Sequence, residues 1–175
     1  MKYGKKMNKE KVSDEILLRA QKIKLLLMDC DGVLTDGRLY FSEKGEELKV
    51  FHVRDGQGLV SWHKAGFKSG IISGRISSIV ERRANELGIH FIKQASKNKI
   101  EDFEKILIEA KVSNEETAYV GDDLPDIALL KIVGLSFAVA DAEPEVIRAV
   151  HYKTNANGGL GAIREITDLL LQLKS

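Results

Sequence analysis

Two closely spaced groups of aspartates occur in this sequence, each directly after a short apolar run. The runs are residues 25–28 and 118–120, and the acids that follow them are Asp29, Asp31, Asp122, Asp123 and Asp126. Carboxylates that share a site repel one another, which raises their pKa values or requires a cation. A single Asp after a strand is commonly a turn or cap residue, but several such positions together favour a site. Because oxygen ligands without His or Cys are typical of Mg²⁺, we expect a magnesium site here.

These residue types are sufficient for phosphoryl transfer. A carboxylate can attack phosphorus and form an aspartyl-phosphate, which divides the hydrolysis of a phosphomonoester into two steps. A second carboxylate two residues further on can act as general acid and base, which typically contributes ~10²–10⁴-fold. Hydroxyl and ammonium groups can stabilise the phosphoryl oxygens. Ser73 follows a third apolar run, and Lys93, Lys97 and Lys99 lie within one segment.

Short β-like runs alternate with helical patterns along the chain. Strands are predicted at residues 25–28, 69–73, 118–120 and 135–140, with weaker candidates at 90–92 and 150–154. Apolar spacings of three and four predict helices over 58–65, 76–87, 100–110, 124–133, 144–150 and 161–173. This alternation predicts an α/β fold, a doubly wound (Rossmann-like) parallel sheet with helices on both faces. Ligands of such sheets bind beyond the carboxyl ends of the strands, where the aspartates fall.

Residues 38–53 interrupt this alternation. β-rich runs at 39–41 and 48–53 flank a short turn that contains Gly45, which predicts a small β-hairpin inserted after the first strand and no large cap domain. A projecting two-stranded ribbon is marginally stable alone. Its apolar residues therefore predict contact with the body of the domain or with another subunit; they are Leu39, Phe41, Leu48, Val50 and Phe51.

Length and composition indicate one globular domain, which we assign to residues 1–175. A formal net charge of +1 does not support a general nucleic-acid binder, and the single cysteine, Cys30, excludes a disulfide framework. Apolar runs are too short to span a bilayer, and the basic N-terminus lacks the apolar segment of a signal peptide. We expect residues 1–20 to form a basic tip and a short helix, and the protein to be cytoplasmic, without nucleic-acid or membrane partners.

The order of the motifs resembles that of the haloacid dehalogenase superfamily. Residues 29–35, with the sequence Asp-Cys-Asp-Gly-Val-Leu-Thr, resemble the first motif of that superfamily. Ser73, Lys99 and the acidic residues 121–126 fall where it has its second, third and fourth motifs. The resemblance extends over about residues 24–173, and four motifs in order are specific, whereas a lone Asp-x-Asp would not be.

This resemblance implies a role for each motif residue. Asp29 would be the nucleophile, Asp31 the general acid and base, and Ser73 and Lys99 donors to the phosphoryl oxygens. We prefer Lys99 to Lys97 because it opens a predicted helix, where the superfamily lysine sits. The implied cofactor is Mg²⁺. Its implied ligands are Asp29, the Asp31 carbonyl and Asp122. Asp123 and Asp126 are implied to surround these ligands without contacting the ion directly.

A narrower resemblance comes from residues 35–37, 53–58 and 158–165 together with the small hairpin. These look like 3-deoxy-D-manno-octulosonate 8-phosphate phosphatases, which make a sugar acid for bacterial lipopolysaccharide. The resemblance implies a homo-oligomer, a tetramer with the hairpins packed centrally and each site completed by a neighbouring chain. It also implies a set of substrate contacts, in which arginines suit phosphate and carboxylate groups. The implied contacts are Asp31, His52, Val53, Arg54, Asp55, Gly56, Arg75, Arg83 and Lys99.

Three positions depart from the family pattern. Family members often carry a basic residue where Val60 stands, Asn where His52 stands and, in some relatives, Arg where Leu160 stands. A 3-deoxy-nonulosonate 9-phosphate is therefore an alternative substrate, since a few contacts can shift such discrimination. Outside the enzymes, a receiver-like phosphoacceptor module and an idle assembly module are alternatives. The first does not need Asp31 as leaving-group acid, and the second has no reason to keep the motif residues together.

Overall fold

The computed structural model of the chain describes residues 13–45 and 47–174. Its helices and strands follow one another closely. In chain order they are α1 (Asp14–Lys22), β1 (Leu25–Met28), β2 (Tyr40–Phe41), β3 (Glu47–Leu48), α2 (Val53–Lys64), β4 (Lys68–Ile72), α3 (Ser78–Leu87), β5 (Phe91–Lys93), α4 (Lys99–Ala110), β6 (Thr117–Gly121), α5 (Ile127–Leu130), β7 (Leu135–Ala138), α6 (Pro144–Ala149), β8 (Tyr152–Lys153) and α7 (Ala162–Lys174).

A parallel sheet with the strand order β5-β4-β1-β6-β7-β8 forms the centre of the protein. Met28 at the end of β1 lies opposite Ile71 of β4 and Val120 of β6. Right-handed crossovers place α2 and α3 on one face and α4, α5 and α6 on the other. The packing of α7 against α1 and α2 completes the first face. The predicted α/β class with a doubly wound parallel sheet is therefore confirmed, and the order of its strands reverses between β1 and β6.

Continuous apolar runs made the main strands predictable. All four residues of β1 and all five of β6 are buried, as expected for parallel strands covered on both faces. The largest fully buried side chains are Trp62, Tyr119, Phe103 and Phe137. Cys30, directly after the nucleophile position predicted for Asp29, is also buried. The core thus fixes β1 and β6 side by side, with their carboxyl ends at one edge.

Several predicted boundaries were wrong, and polar contacts explain two of them. The helix predicted over 58–65 begins at Val53, because His52 is its N-cap and accepts a hydrogen bond at Nδ1 from the Arg54 amide, 3.2 Å away. The helix predicted over 124–133 is a 3₁₀ turn followed by the short α5. Here the Asp126 carboxylate accepts from the Asp122 amide at 3.1 Å, which keeps the chain bent after β6. The strand predicted over 135–140 ends at Ala138, where its pairing with β8 stops.

The hairpin is shorter than the sequence predicts. Only β2 and β3 pair, with Tyr40 opposite Leu48. The strand predicted over 48–53 was wrong beyond Leu48. The side chain of Lys49 is buried, and His52 is already the N-cap of α2.

At the N-terminus, the predicted basic tip over residues 1–12 lies outside the described residues. The short helix predicted next to it is observed as α1, which begins after Ser13, whose hydroxyl accepts from the Ile16 amide at 3.3 Å. None of the helices in the described part of the chain combines the length and the hydropathy that crossing a membrane requires.

Asp55 joins the first turn of α2 to the start of α7. Its side chain is buried, and its two carboxylate oxygens accept hydrogen bonds from the Gly161 amide at 3.1 Å and the Arg164 amide at 2.8 Å. These amides belong to the end of α7 that has no internal acceptors, so Asp55 caps that helix from another element. The contact holds α2 and α7 together on one face of the sheet.

We expect Asp55→Ala to lower the free energy of unfolding by about 2–3 kcal/mol, because two buried amides lose a charged acceptor. Asp55→Asn keeps one acceptor oxygen and should cost about 1 kcal/mol. As a control, Asp168→Ala removes a partly exposed ion pair with Arg164 on α7 and should change stability by less than ~0.5 kcal/mol. Urea unfolding measures all three variants. Wild-type stability in Asp55→Ala would show that this cap does not hold the two helices.

Candidate active site

The carboxyl edge of β1 and β6 gathers the residues of the first and fourth motifs. Asp29 follows β1, and its amide donates to the Val120 carbonyl of β6 at 3.0 Å. Asp122 follows β6 directly. The strand order reverses at this point of the sheet, and crevices at such a switch point are the usual ligand sites of open α/β sheets.

Three carboxylates form a cluster at this edge. Asp29, Asp122 and Asp126 each offer an oxygen, and these atoms lie within 4.8 Å of one another. Gly32 makes this approach possible, because a Cβ there would lie 2.0 Å from Asp122 Oδ2 and its φ is +84°. A side chain at this position would therefore push Asp122 out of the cluster. We call these three aspartates the acidic cluster.

Lys99 is the cation that faces the acidic cluster. Its Nζ lies 2.8 Å from Asp29 Oδ2 and 2.7 Å from Asp126 Oδ1. Asn98 caps α4 by accepting from the Ile100 amide at 3.1 Å, which places Lys99 as the first helical residue. Among the three lysines that this segment of the sequence offers, these contacts favour Lys99, which we preferred to Lys97.

Tyr119 is a member of the site that sequence reasoning missed. Its side chain is fully buried in β6, yet its hydroxyl donates to Asp126 Oδ1 at 2.7 Å. Lys99 Nζ lies 3.4 Å from the same hydroxyl. Only the residue type could have indicated this contact from the sequence, because a buried Tyr generally needs a hydrogen-bond partner for its O–H group.

Burial disfavours the ionised form of two aspartates of the acidic cluster, Asp122 and Asp29. Desolvation raises the pKa of Asp122 to about 8, with the negative charges of Asp126, Asp29 and Asp123 adding to it. Desolvation also raises the pKa of Asp29 to about 6, with a contribution from Asp126, although the Lys99 ammonium opposes the shift. Burial by itself would lower the pKa of Lys99, but the carboxylates of Asp29 and Asp126 raise it. One ammonium is too little charge for three carboxylates.

The acidic cluster fits a divalent cation with oxygen ligands. Asp122 Oδ1 is buried and has no hydrogen-bond partner among the described residues. A buried carboxylate oxygen without a partner is costly, and a cation would remove that cost. An all-carboxylate donor set matches Mg²⁺. Asp126, which the sequence placed in an outer position, lies within the acidic cluster, whereas Asp123 is exposed and its side chain accepts from the Leu124 amide at 2.7 Å.

Asp31 follows Asp29 by two residues in the sequence, but its carboxylate contacts Lys49 and Arg75 and is not part of the acidic cluster. The Lys49 ammonium contacts its Oδ1, and Arg75 Nε lies 3.5 Å from its Oδ2. The sequence predicted Arg75 in the site but gave no reason to include Lys49. Ser73 follows β4, the other neighbour of β1, and its hydroxyl accepts from the Arg75 amide at 3.3 Å.

The segment that begins α2 has several different environments. The side chain of His52 caps the helix, and that of Asp55 caps α7, so neither is free to turn toward the acidic cluster without losing a cap. Val53 and Arg54 are exposed. Gly56 lies against Arg83, since a Cβ there would be 2.6 Å from Arg83 Nη2.

Arg83 is a half-buried cation near this segment. Its Nε is buried and has no hydrogen-bond partner among the described residues, and its guanidinium carbon lies 5.9 Å from the Phe51 ring centroid. Glu86 Oε2 is 3.4 Å from Nη1. An unpartnered guanidinium nitrogen is consistent with an anionic ligand, as the sequence predicted for this residue.

Comparisons with known proteins agree with this geometry. Residues 71–166 match the family described as haloacid dehalogenase-like hydrolase. The 3-deoxy-D-manno-octulosonate 8-phosphate phosphatase KdsC of Escherichia coli K12 is 45% identical over 160 residues, which cover 91% of this chain and 85% of that protein. The crystal structure of the Yersinia pestis 3-deoxy-D-manno-octulosonate 8-phosphate phosphatase superposes with a TM-score of 0.91 at 42% identity, covering 93% of this chain and 88% of that one. The Moraxella catarrhalis phosphatase of the same name, in complex with a magnesium ion, a phosphate ion and a KDO molecule, gives a TM-score of 0.90 at 37% identity, covering 92% of each chain.

Sheet, acidic cluster and sequence similarity together define a haloacid dehalogenase-like hydrolase, and this chain belongs to that superfamily. It is therefore an enzyme, a phosphoric monoester hydrolase. Within the superfamily it belongs to the 3-deoxy-D-manno-octulosonate 8-phosphate phosphatase family, as the resemblance of its motifs predicted.

We expect Mg²⁺ to bind more tightly as the pH rises from about 6 to about 8. The ion must displace protons that burial keeps on Asp122 and Asp29, whose pKa values are about 8 and about 6. The Kd for Mg²⁺, measured by titration calorimetry, should be at least ~10-fold higher at about pH 6 than at about pH 8. Asp122→Asn should abolish binding, whereas Asp168→Asn, on the outer part of α7, should leave it unchanged.

Stability without the metal should show the opposite trend with pH. The unfolded chain loses its carboxyl protons near pH 4, while the folded protein retains those of Asp122 and Asp29 to a higher pH, so stability falls between about pH 4 and about pH 8. Mg²⁺ should offset this loss at pH 8 by binding only the folded state. A Kd that does not change with pH would contradict this account of the acidic cluster.

Proposed function

We propose that this enzyme hydrolyses 3-deoxy-D-manno-octulosonate 8-phosphate to the free sugar acid and phosphate, with Mg²⁺ and through an aspartyl-phosphate on Asp29. The observation that carries the proposal is the acidic cluster, in which Asp29 faces the Lys99 ammonium and Asp122 has a buried oxygen without a partner among the residues the structure describes. The names of the E. coli, Y. pestis and M. catarrhalis relatives support the substrate. We further propose that the product enters lipopolysaccharide precursor biosynthesis in the cytoplasm.

The first half of the reaction forms the covalent intermediate. A carboxylate oxygen of Asp29 attacks phosphorus, and the bond from phosphorus to the sugar oxygen breaks. The Asp31 carboxyl gives its proton to that oxygen, which leaves as the alcohol. Lys99 and the Ser73 hydroxyl donate hydrogen bonds to the phosphoryl oxygens as charge shifts between them.

The second half returns the enzyme to its starting state. Asp31, now a carboxylate, takes a proton from a water molecule, and the resulting oxygen attacks phosphorus and releases Asp29. Asp29, the Asp31 carbonyl and Asp122 would hold Mg²⁺, with Asp123 and Asp126 around them. The bound ion supplies positive charge that neutralises the nucleophile and the phosphoryl group.

Substrate recognition would depend on cations around this edge. Arg75 is partly exposed beside Asp31, and Arg83 has a guanidinium nitrogen that no group in the described part of the chain contacts by a hydrogen bond, so both suit the anionic groups of a sugar-acid phosphate. Val60, however, stands on α2 where family members often carry a basic residue. A 3-deoxy-nonulosonate 9-phosphate is therefore our second candidate substrate.

A phosphate-release assay with Mg²⁺ tests the substrate. We expect a preference of ~100-fold or more in kcat/KM, roughly 2.7 kcal/mol, for the eight-carbon 3-deoxy acid phosphate over hexose phosphates. Asp29→Asn should abolish turnover because it removes the nucleophile, and it also controls for a contaminating phosphatase. A preference for the nine-carbon acid phosphate would make it the substrate, while the proposed phosphatase mechanism would stand. Steady-state hydrolysis by Asp29→Asn would refute the assignment of the nucleophile.

We also propose that the hairpin joins copies of this chain into a tetramer. Its apolar side chains are exposed to an unusual extent, with Phe41 at 62%, Leu48 at 56% and Val50 at 55%. Contiguous exposed apolar residues of this kind mark interaction sites. Because a two-stranded ribbon is marginally stable alone, a partner would also stabilise the pairing of β2 with β3.

Sedimentation velocity at micromolar concentration tests the assembly. We expect a tetramer for the wild-type chain and a smaller species for the double variant Phe41→Ser, Leu48→Ser. Ile108→Ser is the matched control, because Ile108 is 79% exposed but lies on α4, away from the hairpin, and its loss should leave the assembly intact. A wild-type monomer would refute the proposal.

A further inference from the structure

Lys49 is a buried cation that the reaction described above does not use. It lies between β3 and α2, and only 1% of its side chain is exposed. Its ammonium contacts Oδ1 of Asp31, whose side chain is 19% exposed. The other oxygen of that carboxylate, Oδ2, has Arg75 Nε at 3.5 Å. Asp31 is therefore held from the hairpin side by a lysine and from the β4 side by an arginine.

Stability alone does not account for this pair. Removing an ammonium from water is expensive, and a buried ion pair is commonly no more stabilising than apolar side chains of similar volume. Methionine would fill much the same space as Lys49 without that cost. A buried charge is more readily explained by what it contacts, which here is the residue two positions after Asp29.

We propose that Lys49 is a positioning residue for Asp31, an inference that rests on the proposed function. Its ammonium holds Oδ1, which fixes the rotation of the carboxyl group and turns Oδ2 to the opposite side, beside Arg75, where Oδ2 would meet the leaving oxygen. When the bond from phosphorus to that oxygen breaks, the electron pair stays on the oxygen and the Asp31 proton moves to it. Asp31 is then a carboxylate beside an ammonium that is already in place, so no rearrangement is needed before it accepts a proton from water.

The dependence on the leaving group distinguishes this role from a merely structural one. A sugar alcohol needs a proton in order to leave, whereas the nitrophenolate of p-nitrophenyl phosphate leaves without one. We expect Lys49→Met to lower the rate at which 3-deoxy-D-manno-octulosonate 8-phosphate forms the aspartyl-phosphate, measured as kcat/KM, by about 10- to 100-fold, part of the ~10²–10⁴-fold that an acid contributes, and by less than about threefold for p-nitrophenyl phosphate. We compare kcat/KM because hydrolysis of the aspartyl-phosphate, in which Asp31 is the base, is common to both substrates and contributes to kcat. Binding of the sugar phosphate, measured in the Asp29→Asn background, should change little. The ratio of the two rates in one preparation does not depend on how much of the variant is folded.

Two further variants make the comparison specific. Lys49→Arg keeps a cation at the same place and should recover part of the lost rate with the sugar phosphate. Lys44→Met removes a lysine from the exposed turn of the same hairpin and should leave both rates at the wild-type level. Asp31→Asn should show the selective loss in its strongest form, because it removes the acid itself.

The outcomes separate this inference from the proposed function. Selective loss in both Asp31→Asn and Lys49→Met supports the positioning role. Selective loss in Asp31→Asn together with an equal loss on both substrates in Lys49→Met overturns the role of Lys49 and leaves the proposed function standing. Weaker binding of the sugar phosphate to Lys49→Met in the Asp29→Asn background, with an unchanged ratio of the two kcat/KM values, would also overturn it, since Lys49 would then bind substrate. An Asp31→Asn variant without selective loss overturns the acid itself, and the inference with it.

Discussion

Repulsion among three closely spaced carboxylates, one buried and two half-buried, is the constraint on which the site depends. Asp29, Asp122 and Asp126 lie within 4.8 Å of one another, and Lys99 is the ammonium that faces them. The surrounding structure makes this arrangement possible. Parallel pairing of β1 with β6 sets two of the acids side by side, and the absence of a side chain at Gly32 leaves room for Asp122. A site that is electrostatically unfavourable when empty is well suited to a cation that neutralises it.

The sequence was most informative where one short stretch contained both an apolar run that predicts a strand and, after it, the acids that predict a site. The apolar runs before Asp29 and Asp122 predicted two strands of one parallel sheet, and the acids after them predicted an edge with carboxylates. Lys99 was selected because it opens a helix, and Asn98 indeed caps that helix. These inferences needed only local pattern and the rule that parallel strands end at one edge. The catalytic roles of these residues are still predictions.

Contacts between distant segments could not be predicted in this way. Lys49 and Asp31 are separated by a hairpin, and nothing in the spacing of a lysine along an apparent strand shows that it is buried. The hydroxyl of Tyr119 likewise has an acceptor only because the chain after β6 brings Asp126 to it. Asp55 makes a contact with a distant helix that its position in the sequence did not reveal. Its place in a family motif suggested a substrate contact, but its carboxylate is engaged by the first amides of α7.

The short connection between β3 and α2 has a consequence for how the gene could vary in length. Residues 49–52 must bring Lys49 to Asp31 and, three residues later, His52 to the start of α2. One inserted or deleted codon in this connection would misplace one of the two. The turn at residues 42–45 is exposed and lies outside this connection. It could therefore lengthen or shorten without moving Lys49 from Asp31 or His52 from the start of α2. Among homologues, insertions and deletions in the hairpin should therefore cluster at its tip and be rare on its returning side.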